Sequence, residues 1–347
     1  MVTLGSDSHK RTHTLVAVDG NGRGMGQRTV QATSPGHLEA LRWASQWPQR
    51  QWALEDCRHL SRRLEAELLA AGELVVRVSP KLMAGARQGG REAGKSDPID
   101  ALAVARAALR EPGLPVAQLE GRSREVRLLL DHREDLVGER TRMQNRLRWH
   151  LHELEPGYEV PAGALDRRAV LESVVERLEQ HQGVVAEIAA ELVTDIQLLT
   201  TRVNQLERRI CQLVAELAPS LLELEGCAGL TGAKILGETA DVTRFRSRAA
   251  YAMNNGTAPI PVWSGNQQRF RLNRGGNRQL NAAMHRIAVT QIRLKGRGRA
   301  YLEGRMAAQA TKTEALRSLR RRISDEVYRR LWQDHMSRSA RPAAVAA

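Results

Sequence analysis

Cysteines, aromatic residues and long apolar runs are all scarce in this 347-residue chain. The three cysteines (Cys57, Cys211 and Cys227) are far apart, which argues against a disulfide framework or a zinc site and predicts reduced thiols. No stretch approaches the roughly 18 consecutive apolar residues of a membrane span. The first residues lack the basic and apolar regions of a signal peptide. We therefore expect a cytoplasmic protein with no membrane association.

Acidic residues are scarce in the last third of the chain. From Asp241 onward there are 22 Lys and Arg but only 6 Asp and Glu. The formal net charge of the whole chain is +14, so this region accounts for all of the excess positive charge. Positive charge concentrated in one region suits a polyanion such as DNA or RNA; a basic surface kept for solubility is the alternative. With only two Phe and four Tyr in the chain, extensive base stacking is not expected, and arginine–phosphate contacts should dominate binding.

The first hundred residues alternate between strand and helix patterns. A helix is predicted over 59–71, and a second one follows Ser96 as N-cap and runs to residue 109. Pro112 and Pro115 end this region. Strands are predicted at 2–5, 14–19, 28–32, 52–55 and 74–78. This alternation predicts a mixed α/β sheet, with the first three strands in a meander.

Residues 122–217 are nearly all helix-forming, and one apolar stripe recurs at alternating spacings of four and three, a heptad seam. Its members are Leu192, Ile196, Leu199, Val203, Leu206, Ile210, Leu213 and Leu217. Two interpretations remain open: an intermolecular coiled coil, or a hairpin of helices within one chain. We favour the first, because a narrow seam needs only one partner helix. It predicts a homo-oligomer, either a dimer or a tetramer.

These patterns predict three domains and a tail. Residues 1–115 form the α/β domain, 116–217 the helical arm, 218–340 a basic and mostly helical domain, and 341–347 a disordered tail. The basic domain opens at a glycine-punctuated turn (226–232) and contains a Gly/Pro-rich segment that ends near residue 276.

Four carboxylates are candidates for metal chemistry. Asp7 follows the first strand and Glu55 ends the fourth, while Asp97 and Asp100 share one face at a helix start. Clustered carboxylates would repel one another unless cations neutralise them, and hard oxygen ligands suit Mg²⁺ or Mn²⁺. Two such ions can promote phosphodiester chemistry. Each acid also has an ordinary structural explanation: a helix dipole partner, a turn cap, or an ion pair of Glu55 with Arg58.

The acidic motifs resemble those of a known family. The segments are Gly5-Ser-Asp7-Ser-His-Lys10-Arg-Thr-His13-Thr-Leu-Val-Ala-Val-Asp19, Ala53-Leu-Glu55-Asp and Lys95-Ser-Asp97-Pro-Ile-Asp100-Ala. Their order and spacing are similar to those of DEDD-type insertion-sequence transposases, the IS110 family related to Piv DNA invertases. The resemblance implies an RNase H-like domain of the RuvC type, in which Asp7, Glu55, Asp97 and Asp100 are catalytic and bind Mg²⁺.

The basic domain carries the second half of the resemblance, in segments 255–265, 271–280 and 313–328. It implies that Ser264 is a nucleophile; without it, Ser264 would more readily be interpreted as a loop residue. A serine flanked by arginines suits covalent phosphoryl transfer. Residues 226–232 resemble the family's glycine-rich helical hairpin, which could contact a phosphate or simply connect two helices. Trp263, Asn254 and Tyr251 depart from the family pattern.

Together these features predict a DNA transposase or site-specific recombinase that excises and inserts a mobile element. The resemblance also implies a structured guide RNA and a location at the bacterial nucleoid. Two alternatives are a metal-dependent junction-resolving nuclease, which would not need Ser264, and a non-catalytic nucleic-acid-binding relative. Predicted nucleic-acid contacts are Lys10, Lys95, Arg269, Arg271, Arg274, Asn277 and Arg278.

Overall fold

The chain is described by a computed structural model and divides into two compact units, residues 1–119 and 120–347. Within the described part of the chain, every helix is too short or too polar to span a bilayer. The structure describes residues 1–55, 60–80, 82–83, 96–111, 113–114, 116–117, 121–265 and 267–340.

A mixed five-stranded sheet forms the first unit, in the order β3-β2-β1-β4-β5. The central strand β1 pairs antiparallel with β2 and parallel with β4; β2 pairs antiparallel with β3, and β4 pairs parallel with β5. The strands are β1 (Val2–Ser8), β2 (Thr12–Val18), β3 (Gly24–Gln31), β4 (Arg50–Glu55) and β5 (Val75–Val78).

Helices cover both faces of this sheet. Along β4, Trp52 and Leu54 join a core cluster with α1 and α2, whereas Ala53 joins a cluster with α3. The helix α1, which follows β3, has no counterpart in the sequence prediction. The three helices are α1 (Ser34–Ala44), α2 (Arg62–Ala70) and α3 (Asp97–Arg110). The expected mixed α/β sheet, with its first three strands in a meander and helices after it, is confirmed.

Helices dominate the second unit. Two long helices, α4 and α6, pack side by side, and shorter helices complete the unit. The helices are α4 (Arg122–Leu154), α5 (Arg168–Leu178), α6 (Val184–Leu217), α7 (Pro219–Leu222), α8 (Gly229–Thr239), α9 (Arg248–Asn254), α10 (Arg278–Arg293), α11 (Arg297–Ala307) and α12 (Lys312–Ser339).

The heptad seam of α6 is buried within the chain. Leu199 and Val203 pack with Leu136 of α4 in one cluster, and both ends of the seam belong to larger clusters that also include α4 residues. The hairpin interpretation therefore accounts for the seam. Since α4 is the partner that the pattern required, the seam gives no separate support for an oligomer.

A two-stranded hairpin lies in the segment where the Gly/Pro-rich sequence predicts a loop. Strands β6 (Ile260–Ser264) and β7 (Gln267–Arg271) pair antiparallel, and Ser264 lies opposite Gln267. All of β7 and most of β6 are exposed. The main core of the unit lies elsewhere, between α4, α6, α8, α10 and α12.

Candidate active site

The end of β1 and the start of α3 converge because β1 has a glycine where the helix crosses it. A Cβ atom at Gly5 would lie 2.1 Å from the carbonyl oxygen of Ala101 and 2.6 Å from the nitrogen of Ala105. Only glycine permits this approach. Asp7 follows two residues later on the same strand face, and the first turn of α3 carries Asp97 and Asp100. The two elements therefore deliver three carboxylates to one place.

His9 lies between two of these carboxylates. Its Nε2 atom is 3.2 Å from an oxygen of Asp7 and 3.3 Å from an oxygen of Asp97. The Asp7 side chain is buried, whereas His9 and Asp97 are about half exposed. The site thus has a buried floor and an open side that solvent or a ligand can reach.

The electrostatics of the site disfavour three negative charges. Burial raises the pKa of the Asp7 carboxyl, and the charges of Asp100 and Asp97 raise it further, although His9 opposes them. Asp100 is itself buried. A bound cation would reverse this balance by favouring the ionised carboxylates.

Glu55 ends the strand next to β1. Ser6 pairs with Leu54, so Asp7 and Glu55 are the next residues along two parallel strands. Ala53 faces α3, and Glu55, two residues later, shares that face. The structure therefore brings Asp7, Asp97 and Asp100 together and places Glu55 at the adjoining strand end.

The donor set fits a divalent cation. One ligand atom from each of Asp7, His9 and Asp97 lies within 4.8 Å of the others. Carboxylate oxygens suit Mg²⁺ and Mn²⁺, while an imidazole nitrogen is a ligand that transition metals accept more readily. His9 lies inside the first acidic motif, but no sequence pattern assigns it a role.

A second buried polar group lies on the opposite face of the sheet. His13 of β2 and His37 of α1 are stacked, with their Nε2 atoms 3.1 Å apart, and His37 Nδ1 is 2.8 Å from a carboxylate oxygen of Glu67. Burial, together with the nearby His37 and His9, lowers the pKa of His13 to about 4. This group braces β2 against α1 and α2.

Ser264 ends β6 at the tip of the exposed hairpin. Gly265, the next residue, has a φ of +57°, a conformation that glycine adopts without strain. Because side chains alternate along each strand, Ser264 shares a hairpin face with Arg269 and Arg271, while Trp263 and Phe270 share the other. Arg269 stands diagonal to Ser264, a separation of roughly 7–8 Å.

Two sets of contacts at the foot of the hairpin hold it in place. Asn255 is fully buried: its side-chain amide donates to Ser324 Oγ at 2.7 Å and its side-chain oxygen accepts from Thr257. A Cβ atom at Gly276 would lie 2.3 Å from the backbone nitrogen of Gly256. The segments on either side of the hairpin are therefore fixed to each other and to α12.

Two family models match this chain. A transposase model of the DEDD IS110 type matches residues 4–156, and a model described as the transposase IS116/IS110/IS902 family matches residues 218–303. Together they span more than half of the chain. The chain belongs to the IS110 family of transposases.

Similar insertion-element proteins support this assignment along the full length of the transposase. It is 26% identical to the "Insertion element IS116 uncharacterized 44.8 kDa protein" of Streptomyces clavuligerus, over 100% of this chain and 98% of that protein. It is 25% identical to the "Insertion element IS900 uncharacterized 42 kDa protein" of Mycobacterium paratuberculosis, over 96% of each.

Two solved structures align with about a third of the transposase. One is RuvC of Thermus thermophilus, with 21% identity, 31% of this chain and 94% of that chain covered, and a TM-score of 0.26. The other is the same enzyme in complex with a Holliday junction substrate, with 18% identity, 32% and 94% covered, and a TM-score of 0.25.

The predicted nucleic-acid contacts of the transposase fall into three groups. Lys10 is exposed in the turn between β1 and β2, and Lys95 lies outside the described residues. Asn277 is the N-cap of α10: its side-chain oxygen accepts from two backbone N–H groups and its amide donates to Glu238. The exposed members near the hairpin are Arg269, Arg271, Arg274 and Arg278.

The glycine-rich turn of the transposase has a packing role. A Cβ atom at Gly229 would lie 2.3 Å from the sulfur of Cys211, and one at Gly232 would lie 3.0 Å from Val214. Gly226 has a φ of +86°. These glycines let α8 approach α6 closely, which explains the motif without a bound phosphate.

Proposed function

We propose that this transposase cleaves and rejoins DNA with two sets of residues, the acidic site of the first unit and Ser264 of the second. The observation that carries the proposal is the convergence of Asp7, Asp97 and Asp100 at the end of β1, in a chain of a transposase family. DNA is the substrate. The reaction joins the ends of a mobile element to a target site.

The acidic residues act as a cation site. Asp7 and Asp97 would hold Mg²⁺ or Mn²⁺, assisted by Asp100 and by Glu55 at the adjoining strand end. When bound, the cation would activate an oxygen nucleophile and neutralise charge developing on the phosphate. Because its Nε2 atom is near both carboxylates, His9 orients them when the cation is absent.

Ser264 acts as the nucleophile. Its Oγ atom attacks phosphorus, an Oγ–P bond forms, and the P–O bond to one sugar breaks. The hydroxyl loses its proton, and the displaced sugar oxygen gains one. Arg269 and Arg271, on the same hairpin face, would bind phosphate oxygens and stabilise their charge. Attack of a second DNA hydroxyl on the phosphoserine reverses the step and rejoins the strands.

Two partners complete the proposal. A structured guide RNA would occupy part of the basic surface, since the region from Asp241 onward has far more basic than acidic residues. A homo-oligomer, dimer or tetramer, would bring two DNA ends together. Neither depends on the heptad seam of α6, which α4 covers.

A recombination assay tests the proposal. Donor and target DNA are incubated with Mg²⁺ and RNA transcribed from the element's flanks, and joined products are measured. Ser264→Ala and Asp97→Asn are each expected to lower product at least about 100-fold. Two controls should retain it: Ser337→Ala, an exposed serine of α12, and Asp19→Asn, a turn residue whose side-chain oxygen accepts from Asn21 and Arg23.

Two other results of this assay would each favour a different function. Strand cleavage that needs Asp97 but persists in Ser264→Ala would indicate a metal-dependent junction-resolving nuclease. DNA binding without cleavage under every guide and metal condition would indicate a non-catalytic relative.

A further inference from the structure

A cavity of about 450 Å³ lies at the foot of the β6–β7 hairpin, within the second unit. Its walls are the loop 256–259, the end of β7, the turn between α11 and α12, and the first turns of α12. Ligand sites in proteins commonly have volumes of roughly 300–1,000 Å³. The cavity is thus large enough for one small molecule or one unit of a polymer, and too small for a duplex.

The charged residues of the cavity are mostly basic. Its one carboxylate, Glu314, accepts hydrogen bonds from the backbone N–H and side-chain hydroxyl of Thr311 and so belongs to the capping box of α12. In the part of the chain that the structure describes, none of the basic residues forms an ion pair with a carboxylate within 4.0 Å. These residues are Arg271, Arg305, Arg317 and Arg320.

Arg320 shows the effect of this excess of basic over acidic side chains. It is half-buried, and its Nε atom is buried without a hydrogen-bond partner in the described residues. Burial lowers the pKa of Arg320, and the neighbouring charge of Arg317 lowers it further. Burial and Arg320 likewise lower the pKa of His285. A cation in such surroundings is unfavourable unless an anion joins it.

Apolar groups line the cavity beside these cations. Phe270 is 62% exposed and Leu272 is 46% exposed, although both side chains are large and apolar. An exposed aromatic ring next to guanidinium groups has the two parts that bind a nucleotide, one for the base and one for the phosphate. A base stacked within a duplex cannot reach such a ring.

We propose that this cavity binds one unpaired nucleotide of a nucleic-acid strand, with its phosphate on Arg317 and Arg320 and its base against Phe270. The inference rests on the proposed function, because the strand concerned is one that Ser264 cuts or that guides the cut. Arg271 connects the cavity with Ser264, since it lines the cavity and lies on the same hairpin face as Ser264. Four residues of β6 separate Ser264 from the hairpin foot, about 13 Å.

Binding in EDTA tests the inference without any cleavage. Fluorescence anisotropy is measured with labelled (dT)8, (rU)8 and a 20-base-pair DNA duplex. The variants are Arg317→Gln and Phe270→Ala, which alter exposed side chains. The control is Arg299→Gln, a half-buried arginine of α11 that is paired with Glu303 outside the cavity. Melting temperatures of all variants are compared to establish that they fold alike.

The cavity predicts a selective loss. Arg317→Gln should weaken binding of a single strand about tenfold and Phe270→Ala about fivefold or more, with duplex binding changed less than about threefold. Loss confined to (dT)8 or to (rU)8 supports the site and identifies the strand. Equal losses for Arg317→Gln and Arg299→Gln, or for single strand and duplex, would overturn the inference. Because binding in EDTA involves no cleavage, a failure of the serine mechanism leaves this result unaffected.

Discussion

Single residues of the acidic site bring negative charges together at the expense of stability. Asp7 is buried, and burial together with Asp100 and Asp97 raises its pKa, so its ionised form is disfavoured in the folded chain. A neutral side chain of the same shape would relieve this repulsion.

Asp7→Asn tests this cost directly. Without divalent cations, the variant is expected to melt about 2–4 °C above the wild type, since an amide does not repel Asp97. Adding Mg²⁺ or Mn²⁺ should raise the melting temperature of the wild type but not that of the variant. Asp19→Asn is the matched control and should behave as the wild type. An undiminished cation response in Asp7→Asn would exclude Asp7 as a ligand.

His13 makes the stability of the first unit depend on pH. Its pKa is lowered from 6.5 to about 4, so the unfolded chain takes up the proton first as the pH falls. The stabilisation is complete above pH 6.5 and is lost progressively down to about pH 4, by roughly 3 kcal/mol in total. In urea titrations at several pH values, His13→Gln should lose correspondingly less stability, whereas His152→Gln, an exposed histidine of α4, should follow the wild type. Identical pH profiles for His13→Gln and wild type would contradict this account.

The sequence supports some residue assignments better than others. Asp7 and Asp97 were predictable as neighbours, because strand ends and helix starts often meet at one sheet edge. The role of His9 depends on a distance of about 3 Å between two separate elements, which no local pattern specifies. Arg305 and Arg320 lie on different helices and reach one cavity only through tertiary packing.

At the level of elements, the contact between β1 and α3 determines the acidic site. The backbone of α3 lies where a side chain at residue 5 would be, so Gly5 fixes the distance from Asp7 to Asp97.

Gly5→Ala is therefore expected to displace α3 and destabilise the chain by about 2 kcal/mol or more. Cation-dependent stabilisation should be lost with it. Gly24→Ala, on an exposed strand position with nothing within 4 Å of the added Cβ, should change melting little. Thermal melts with and without Mn²⁺ measure both effects. A Gly5→Ala variant that melts and binds Mn²⁺ as Gly24→Ala does would show that this contact is not required.

Two elements illustrate the limits of sequence patterns. The seam of α6 was correctly predicted as apolar and helical, but a heptad does not specify whether its partner belongs to the same chain. The β6–β7 hairpin lies where the Gly/Pro-rich composition predicts a loop, although Gly265 and Asn266 between two β-prone runs are a hairpin signal. Pro259 and Pro261 obscured that signal, since proline weakens a strand assignment.

For the whole molecule, the charge distribution determines how DNA is bound. The region from Asp241 onward holds all of the excess positive charge of the chain, so binding should release many counterions and weaken steeply with salt.

The double variant Arg269→Gln/Arg271→Gln should lower the slope of log affinity against log salt by about 2. Binding of a non-specific duplex is measured between 50 and 200 mM salt (about fourfold in concentration). The control, Arg167→Gln/Arg168→Gln, removes two exposed arginines near the start of α5 and should leave the slope unchanged. Equal slopes for both double variants would indicate that the hairpin does not contact phosphates.

The most direct test of the central claim is to identify the residue that becomes attached to DNA. End-labelled substrate is incubated with the transposase and Mg²⁺, the protein–DNA adduct is isolated on a denaturing gel, and the linked peptide is identified by mass spectrometry. We predict a phosphodiester to Ser264 that is absent from Ser264→Ala and Asp97→Asn and present in Ser337→Ala. Attachment at another residue, or cleavage by Ser264→Ala at the wild-type rate, would contradict the account.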